Sequence, residues 1–314
     1  MRRETASYFA LWRESLAGKI IDTLIHQQTL SFEFYPPKSS DSLPSVWRAI
    51  RRLATFRPNF VSVTYGAGGS SQTLTEEMVV DIHREGDVLP MAHVSCVSKS
   101  KVELYALLDR LGRAGIKNII ALRGDAPTGT GKFTPVKDGF SHATELIQFI
   151  RANFDFGVAA ACYPEGHVES PDLTADMEDT RKKLDAGADF LITQLFYDNR
   201  HYFDFVDRAR KMGISAPILA GILPILNVSQ VRRFTSHCGV RIPPYVDNSL
   251  SRIETDDEAV KDFGVGLATK QVQELWDNGV DGIHFYALNR SQSISRILDN
   301  LGDLDFNRSH RPRI

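Results

Sequence analysis

The sequence predicts an α/β fold: one eight-stranded β/α barrel of the TIM type, with an extra helix at its N-terminus. Three observations predict it. Eight short apolar runs begin near residues 31, 60, 90, 117, 156, 189, 217 and 281, with segments of helical periodicity between them. Strand and helix alternating in this way make parallel strands joined by crossovers. The runs are apolar nearly throughout, as strands are when both faces are covered. They also end in polar, chemically competent residues: SFEFYPP (31–37), VSVTYGA (61–67), MAHVSC (91–96), IIALRGD (119–125), VAAACYPEGH (158–167), FLITQ (190–194), ILAGILP (218–224) and GIHFYALNR (282–290). A closed barrel builds its active site from the C-terminal ends of its strands. An open dinucleotide-binding sheet would need a glycine fingerprint after its first strand, where this chain has Tyr35-Pro36-Pro37.

The elements follow in order. Phe9, Leu11, Trp12, Leu16, Ile20, Ile21 and Leu24 recur at helical spacing, so residues 5–27 read as an amphipathic helix that closes the barrel bottom or packs outside it. Helices are expected at 44–55, 72–84, 101–114, 141–152, 173–186, 199–211, 228–237 and 257–278. Ser100 and Glu103 form a capping box, and Gly115, Gly187 and Gly213 stand where helices should stop. The stretch 238–256 reads as an irregular insertion. One domain, 1–314, is expected: an N-terminal helix over 1–28, the barrel over 29–300 and a tail over 301–314.

Bulk properties narrow the function. Hydrophobic residues make up 42% and charged residues 24%, the balance of a globular chain with a real core. A net charge of −2 offers no electrostatic case for nucleic acid. Cys96, Cys162 and Cys238 are too few and too scattered for a disulfide framework or a metal motif, which points to a reducing, cytoplasmic setting. No run reaches the length needed to cross a bilayer, and charges interrupt the N-terminal stretch where a signal peptide would be apolar. No metal is expected.

Several side chains can carry chemistry. Glu33 lies between Phe32 and Phe34 at a strand end, where burial should raise its pKa and fit it to act as a general acid, unless an Arg holds it in a structural ion pair. Arg123-Gly124-Asp125 ends the fourth strand; Gly124 lets a planar ligand approach the backbone, and Asp125 can act as a charged partner to Glu33, or the tripeptide is a turn with an internal ion pair. TGTGK (128–132) lacks phosphate-loop spacing and reads as a flexible loop, while GAGGSS (66–71) is a phosphate cradle or a simple turn. His93 and His167 suit polar contacts to an organic ligand better than a metal site. Lys182 and Lys183, with Asp176 and Asp179, read first as a solvated helix face. Phe196 and Tyr197 stack on a ligand or cover the mouth, and His284 reads as a satisfied core residue.

Taken together, SFEFYPP, FVSVTYGAGG, HVSC, ALRGD, YPEGH, ITQLFYD, GILP and HFYALNR, in this order over about residues 29–300, resemble the methylenetetrahydrofolate reductase family, in its bacterial form consisting of the catalytic domain alone. The resemblance implies a barrel that holds FAD, takes hydride from NADH or NADPH, and reduces 5,10-methylenetetrahydrofolate to 5-methyltetrahydrofolate by a ping-pong cycle. It implies that Glu33 protonates folate N10, opening the ring to an N5 iminium, and that Asp125 contacts the pterin and tunes the flavin. Gln194, Gln230, Phe234, Arg290 and Thr64 match substrate-contacting positions. Thr64, Tyr65, Ala67, His93, Arg123, Gly124, Asp125, His142, Ala143, Tyr163, His167, Ser170, Asp176, Asp179, Lys182 and Lys183 match flavin-lining positions. Three residues depart from the pattern. His142 replaces an aromatic, and Asp179 with Lys182 replaces an Asn–Arg pair, which removes a bidentate phosphate fork. The resemblance also leads us to expect homo-oligomers and no eukaryotic regulatory domain. Two other function classes fit the residues alone: a metal-dependent barrel hydrolase using His93, His167 and Asp125, and a barrel that binds folate or flavin without turnover.

Overall fold

Eight parallel strands close on themselves in sequence order: β1 (Thr29–Phe34), β2 (Phe60–Val63), β3 (Leu89–Ser95), β4 (Asn118–Leu122), β5 (Gly157–Cys162), β6 (Phe190–Thr193), β7 (Ile218–Ile222) and β8 (Gly282–Tyr286), with β8 pairing back onto β1. The computed structural model describes residues 18–37, 39–64, 72–86, 88–125, 133–302 and 304–306. Around the barrel run α1 (Ile20–Leu24), α2 (Leu43–Ala54), α3 (Gln72–Glu85), α4 (Lys101–Arg113), α5 (Ala143–Asn153), α6 (Leu173–Asp185), α7 (Asn199–Lys211), α8 (Val228–Cys238), α9 (Pro244–Ile253), α10 (Asp257–Asp277) and α11 (Gln292–Leu301). The predicted TIM barrel is therefore present, and every inter-strand helix read from periodicity lies within two residues of its expected ends.

The strands are apolar on both faces because each face packs against something different. Outward residues such as Leu30, Phe32, Val61, Ala92, Val94 and Ile119 join the helices in one large core. Inward residues Phe60, Met91, Ile120, Phe190, Ile192 and Leu219 fill the lower barrel. Ile20 and Leu24 of α1 belong to that inner cluster, so this helix plugs the bottom of the barrel. Its first N–H is tied down by Asn118, the opening residue of β4, whose Oδ1 accepts from Ile20 N at 2.8 Å. Residues 1–17 of the predicted N-terminal helix lie outside the described residues.

The punctuation also matches. Ser100 and Glu103 make their reciprocal cap on α4, and Gly115, Gly187 and Gly213 follow α4, α6 and α7 with positive φ. Cys96 and Cys162 are free and buried.

Two segments correct the reading from sequence. The stretch 238–256 contains α9, a helix of ten residues that packs Val246 and Leu250 onto Leu223, Val228 and Val260. Pro243-Pro244 looks like a breaker, yet proline is favoured in a first helical turn, where its missing N–H has no partner to lose. The end of the barrel region also carries α11, whose Ile294, Ile297, Leu298 and Leu301 recur on one face and are buried. Among the described residues no helix is long and apolar enough to cross a membrane.

Candidate active site

One wall of the barrel mouth comes from β1, β8 and β3. The register sets Ser31 opposite His284 and Glu33 opposite Tyr286, so the period-two alternation of adjacent strands carries all four to the same face. His93 of β3 joins them. Its Nε2 lies 3.3 Å from Glu33 Oε2, and His284 Nε2 lies 3.6 Å from the same oxygen. The Glu33 side chain is 18% exposed, against 7% for His93 and 1% for His284. No arginine pairs with Glu33 among the described residues.

The hydrogen-bond bookkeeping at this wall is informative. The Ser31 hydroxyl donates to the Ile283 carbonyl at 3.2 Å, which leaves its lone pair to accept from His284 Nδ1 at 2.8 Å. A neutral His284 with its proton on Nδ1 would turn a bare Nε2 toward the Glu33 carboxylate. A hydrogen bond between these two groups therefore requires a proton on one of them. Neither His284 Nε2 nor His93 Nε2 is in line for a proper hydrogen bond, and both are buried without one. Buried polar atoms of this kind call for a partner from outside the chain. His284 is thus a buried histidine, as expected, but not a satisfied one.

The acidity of Glu33 differs from the expectation. Burial does push its pKa up. The charge of His93 and the close approach of both imidazoles pull harder in the other direction, and the carboxyl is held at about 2. The local sequence shows Phe32 and Phe34 beside Glu33, but β3 and β8 bring the two imidazoles. Tyr286 completes the wall: its hydroxyl donates to the Thr193 carbonyl at 2.6 Å, and burial, then the Glu33 charge, keep the phenol protonated. A Cβ at Gly221 would stand 2.8 Å from that hydroxyl, so the barrel closes here only around a glycine.

A second wall runs from β4 and β5 to α6. Arg123 ends β4 and makes a bidentate ion pair with Glu169, not with Asp125, while its guanidinium lies over Phe133. Gly124 follows with φ +85°, and a Cβ there would meet Val97 Cβ at 3.0 Å, so this turn needs glycine. Tyr163 ends β5 with its ring edge-on to His167 at 4.7 Å and Lys183 Nζ 5.3 Å from its centre. Asp176 Oδ1 accepts from the His167 backbone N–H at 3.2 Å and from the Ser170 hydroxyl at 3.3 Å. Burial raises the pKa of Asp176 and Tyr163 and lowers that of Lys183, whose Nζ donates to the Ala161 carbonyl at 3.0 Å. His167 is also held below its ordinary range by burial and by Arg123. Asp179 and Lys182 form an exposed i,i+3 pair at 2.7 Å, as expected of a solvated face, whereas Asp176 and Lys183, read as part of the same face, turn inward toward the end of β5. His142 and Ala143 sit at the start of α5, where Glu145 accepts from the His142 N–H at 2.9 Å.

The remaining predicted residues form a rim. Asp125 is 85% exposed, and its Oδ2 lies 3.7 Å from His237 Nε2 near the end of α8. Gln230 and Phe234 are half-buried on the same helix, Phe234 against the cluster that contains Leu223 and Val231. Gln194 follows β6, Arg290 is exposed after β8, and Thr64 follows β2 with its N–H bonded to the Phe34 carbonyl. Tyr65, Ala67, GAGGSS and TGTGK lie outside the described residues. Phe196 and Tyr197 are both buried, one in the outer core and the other in the cluster under α8 and α9, so neither ring is offered to a ligand.

Reasoning from sequence missed Ser31, His284 and Tyr286 as site residues. The signal was available: Ser-x-Glu on the first strand and His-x-Tyr on the last have the period of one strand face, and a closed barrel makes those strands neighbours. Among the described residues no three of His, Cys, Asp and Glu are grouped to hold a metal ion, which leaves the hydrolase alternative without its ligand set.

Comparison with known proteins agrees with the geometry. The family model described as methylenetetrahydrofolate reductase matches residues 19–302. Methylenetetrahydrofolate reductase (NADH) 1 of Arabidopsis thaliana is 37% identical over 89% of this chain and 49% of its own length. 5,10-Methylenetetrahydrofolate reductase of Escherichia coli is 35% identical over 94% of this chain and 98% of its own length. The chain thus spans about half the length of the plant and fission-yeast relatives and nearly all of the enterobacterial one. Among solved structures, a Clostridium thermocellum protein described as binding two copies of 5-methyl-5,6,7,8-tetrahydrofolic acid aligns with a TM-score of 0.63 at 13% identity, covering 90% of this chain and 96% of that one. At that identity it speaks to the fold alone.

Proposed function

The chain belongs to the methylenetetrahydrofolate reductase family, and from that premise we propose that it reduces 5,10-methylenetetrahydrofolate to 5-methyltetrahydrofolate with NADH or NADPH through bound FAD. The observation that carries this reading is the buried Glu33 with two imidazoles against one of its oxygens at the mouth of the barrel. Opening the folate five-membered ring requires a proton at N10. A buried carboxyl with the imidazoles of His284 and His93 beside it is equipped to take up a proton and deliver it there.

The low resting pKa sets how this works. In the open site the Glu33 carboxyl is ionised. A pterin covering the mouth removes the solvent left around Glu33. That strengthens the burial effect, already the largest single influence on this group, and moves a proton to the carboxyl. Ser31 holds His284 through Nδ1, so Nε2 is the nitrogen that faces Glu33. Asp125, at the rim, supplies negative charge where the substrate becomes cationic. Gln194, Gln230, Phe234, Arg290 and Thr64 are the proposed substrate contacts.

The second wall suits FAD. Arg123, Lys182 and Lys183 provide cations for a diphosphate, Gly124 makes the tight turn beside Arg123, and from the first wall His93 Nε2 adds an orphaned buried donor or acceptor. Tyr65, Ala67, His142, Ala143, Tyr163, His167, Ser170, Asp176 and Asp179 complete the proposed cofactor set. When bound, FAD takes hydride from the reduced nicotinamide and gives it to the folate. The chain holds the two ligands in register and manages the proton.

An anaerobic visible spectrum of the purified protein tests the reading. Flavin bands that bleach with reduced nicotinamide and return with methylenetetrahydrofolate are the expected result. A protein that gains no flavin bands on incubation with FAD would refute the cofactor assignment.

A further inference from the structure

A cavity of about 360 Å³ opens between α6 and α7, outside the barrel mouth, and is lined by Pro164, Glu165, Leu173, His201, Arg208 and Arg241 among others. It shares no residue with the Glu33 wall. Its volume is at the lower end of the range for small-molecule sites, enough for a metabolite of amino-acid size.

Glu165 makes the cavity more than a surface dent. The side chain is only 5% exposed. It sits in the turn after β5, closed by the Gly166 N–H donating to the Tyr163 carbonyl at 3.0 Å. One carboxylate oxygen, Oε2, accepts from the Arg241 backbone N–H at 3.1 Å and lies 3.5 Å from His201 Nε2. The other, Oε1, is buried with no hydrogen-bond partner. An unsatisfied carboxylate oxygen costs free energy unless a donor reaches it, and Glu165 is one of the residues that line the cavity. Burial, only partly offset by His201 and Arg241, makes the carboxyl a stronger base than an ordinary glutamate, as a site for a cationic donor should be.

The opposite charge is also present. The Arg241 guanidinium makes no ion pair among the described residues, although its backbone holds Glu165. Arg208 is anchored by donating to the carbonyls of Asp204 and Pro164, which aims its guanidinium along the cavity and leaves other N–H groups free. Lys211 is already paired with Asp207 at 3.7 Å. Pro164 and Leu173 provide apolar wall. The Asp204 carboxylate also lines the cavity, so against two arginines free of ion pairs among the described residues it sets one surface carboxylate besides the buried Glu165; the cavity offers a buried anion, two guanidinium groups and a hydrophobic surface.

We propose that this α6–α7 cavity binds a small free α-amino acid, its ammonium group donating to Glu165 Oε1, its carboxylate held by Arg241 and Arg208, and its apolar side chain against Pro164 and Leu173. The distinguishing feature is the need for both charges on one small molecule. A simple amine would leave the arginines unanswered, and a simple carboxylate would face Glu165.

Isothermal titration of the full-length chain with L-leucine tests this, with N-acetyl-leucine and leucinamide as the two single-charge controls. Saturable binding of leucine is expected, weakened at least about tenfold in each control, since each loses one charge-assisted contact. Arg241→Ala keeps the backbone N–H that supports Glu165, so it should fold normally and bind leucine about tenfold more weakly. Glu165→Gln should abolish binding, with thermal melting reporting whether it is folded. No heat of binding at about 20 mM leucine would overturn the proposal, as would equal binding of the blocked derivatives or an unchanged Kd in Arg241→Ala.

Discussion

Glu33 and Asp125 both leave the C-terminal ends of barrel strands, yet they occupy opposite electrostatic settings. Glu33 is on β1 itself, with His284 of the adjacent β8 and His93 of β3, one strand beyond the adjacent β2, against one of its oxygens, and 18% of its side chain is exposed. Asp125 lies beyond the end of β4, past a glycine turn, 85% exposed and near one surface histidine. A carboxyl within the strand register inherits its neighbours from the whole barrel, whereas one past the strand end faces mainly water. The first can be tuned by several kcal/mol; the second works through a screened field.

That contrast can be broken most forcefully at Glu33. Glu33→Gln should slow the folate half-reaction by about a thousandfold, the scale of a lost general acid, and leave flavin reduction by nucleotide within about twofold. Stopped-flow measurement of the two halves checks this, and equal loss in both would remove Glu33 from the proton-transfer role.

The next largest effect concerns the imidazoles. His284→Asn removes one of the groups that hold Glu33 at about 2, so the carboxyl should titrate closer to its ordinary 4.5, read by carbon NMR of the labelled side chain. The sign carries into stability. A depressed carboxyl contributes stability that is present above its unfolded pKa and lost as pH falls toward the folded value. The wild type should therefore lose this contribution between about 4.5 and about 2, and His284→Asn should lose less over that window. An unshifted carboxyl resonance would mean that His93 alone sets the acidity.

Asp125→Asn should have a milder outcome: about a fivefold slowing of the folate half-reaction, with less effect on the nucleotide half, and a difference that shrinks as salt is raised. Salt-independent loss would indicate a direct hydrogen bond in place of a field. Smallest of all is His237→Ala. Its pair with Asp125 is exposed on both sides, so steady-state kcat/KM for the folate should change by no more than about twofold. A larger change would show that α8 and the β4 loop act as a clamp across the mouth.

The barrel was legible from local patterns because its elements announce themselves locally. Leu104, Leu107, Leu108 and Leu111 repeat at helical spacing, and Ser100 with Glu103 marks where that helix begins. After Asn118, β4 is an apolar run, Ile119 to Leu122, because both of its faces are covered. The helix at Pro244–Ile253 was hidden because proline signals a first turn as readily as a break. Glu33, His93, Arg123 and Gln194 were legible as strand-end residues, since strand ends converge in any closed barrel, whereas Ser31, His284 and Tyr286 were not, because their place beside Glu33 follows from the pairing of the first strand with the last.

By itself the sequence determined the order of strands and helices, the polar strand ends and the place of Glu33 among them, since these depend on side-chain periodicity along one short stretch at a time. Only the tertiary structure decided what Glu33 is. The phenylalanines next to it in sequence point away into the outer core, while the groups that set its acidity come from β3 and β8, the latter about 250 residues along the chain, where the barrel closes. Charge interactions act through space, and in a closed sheet the first strand and the last are neighbours.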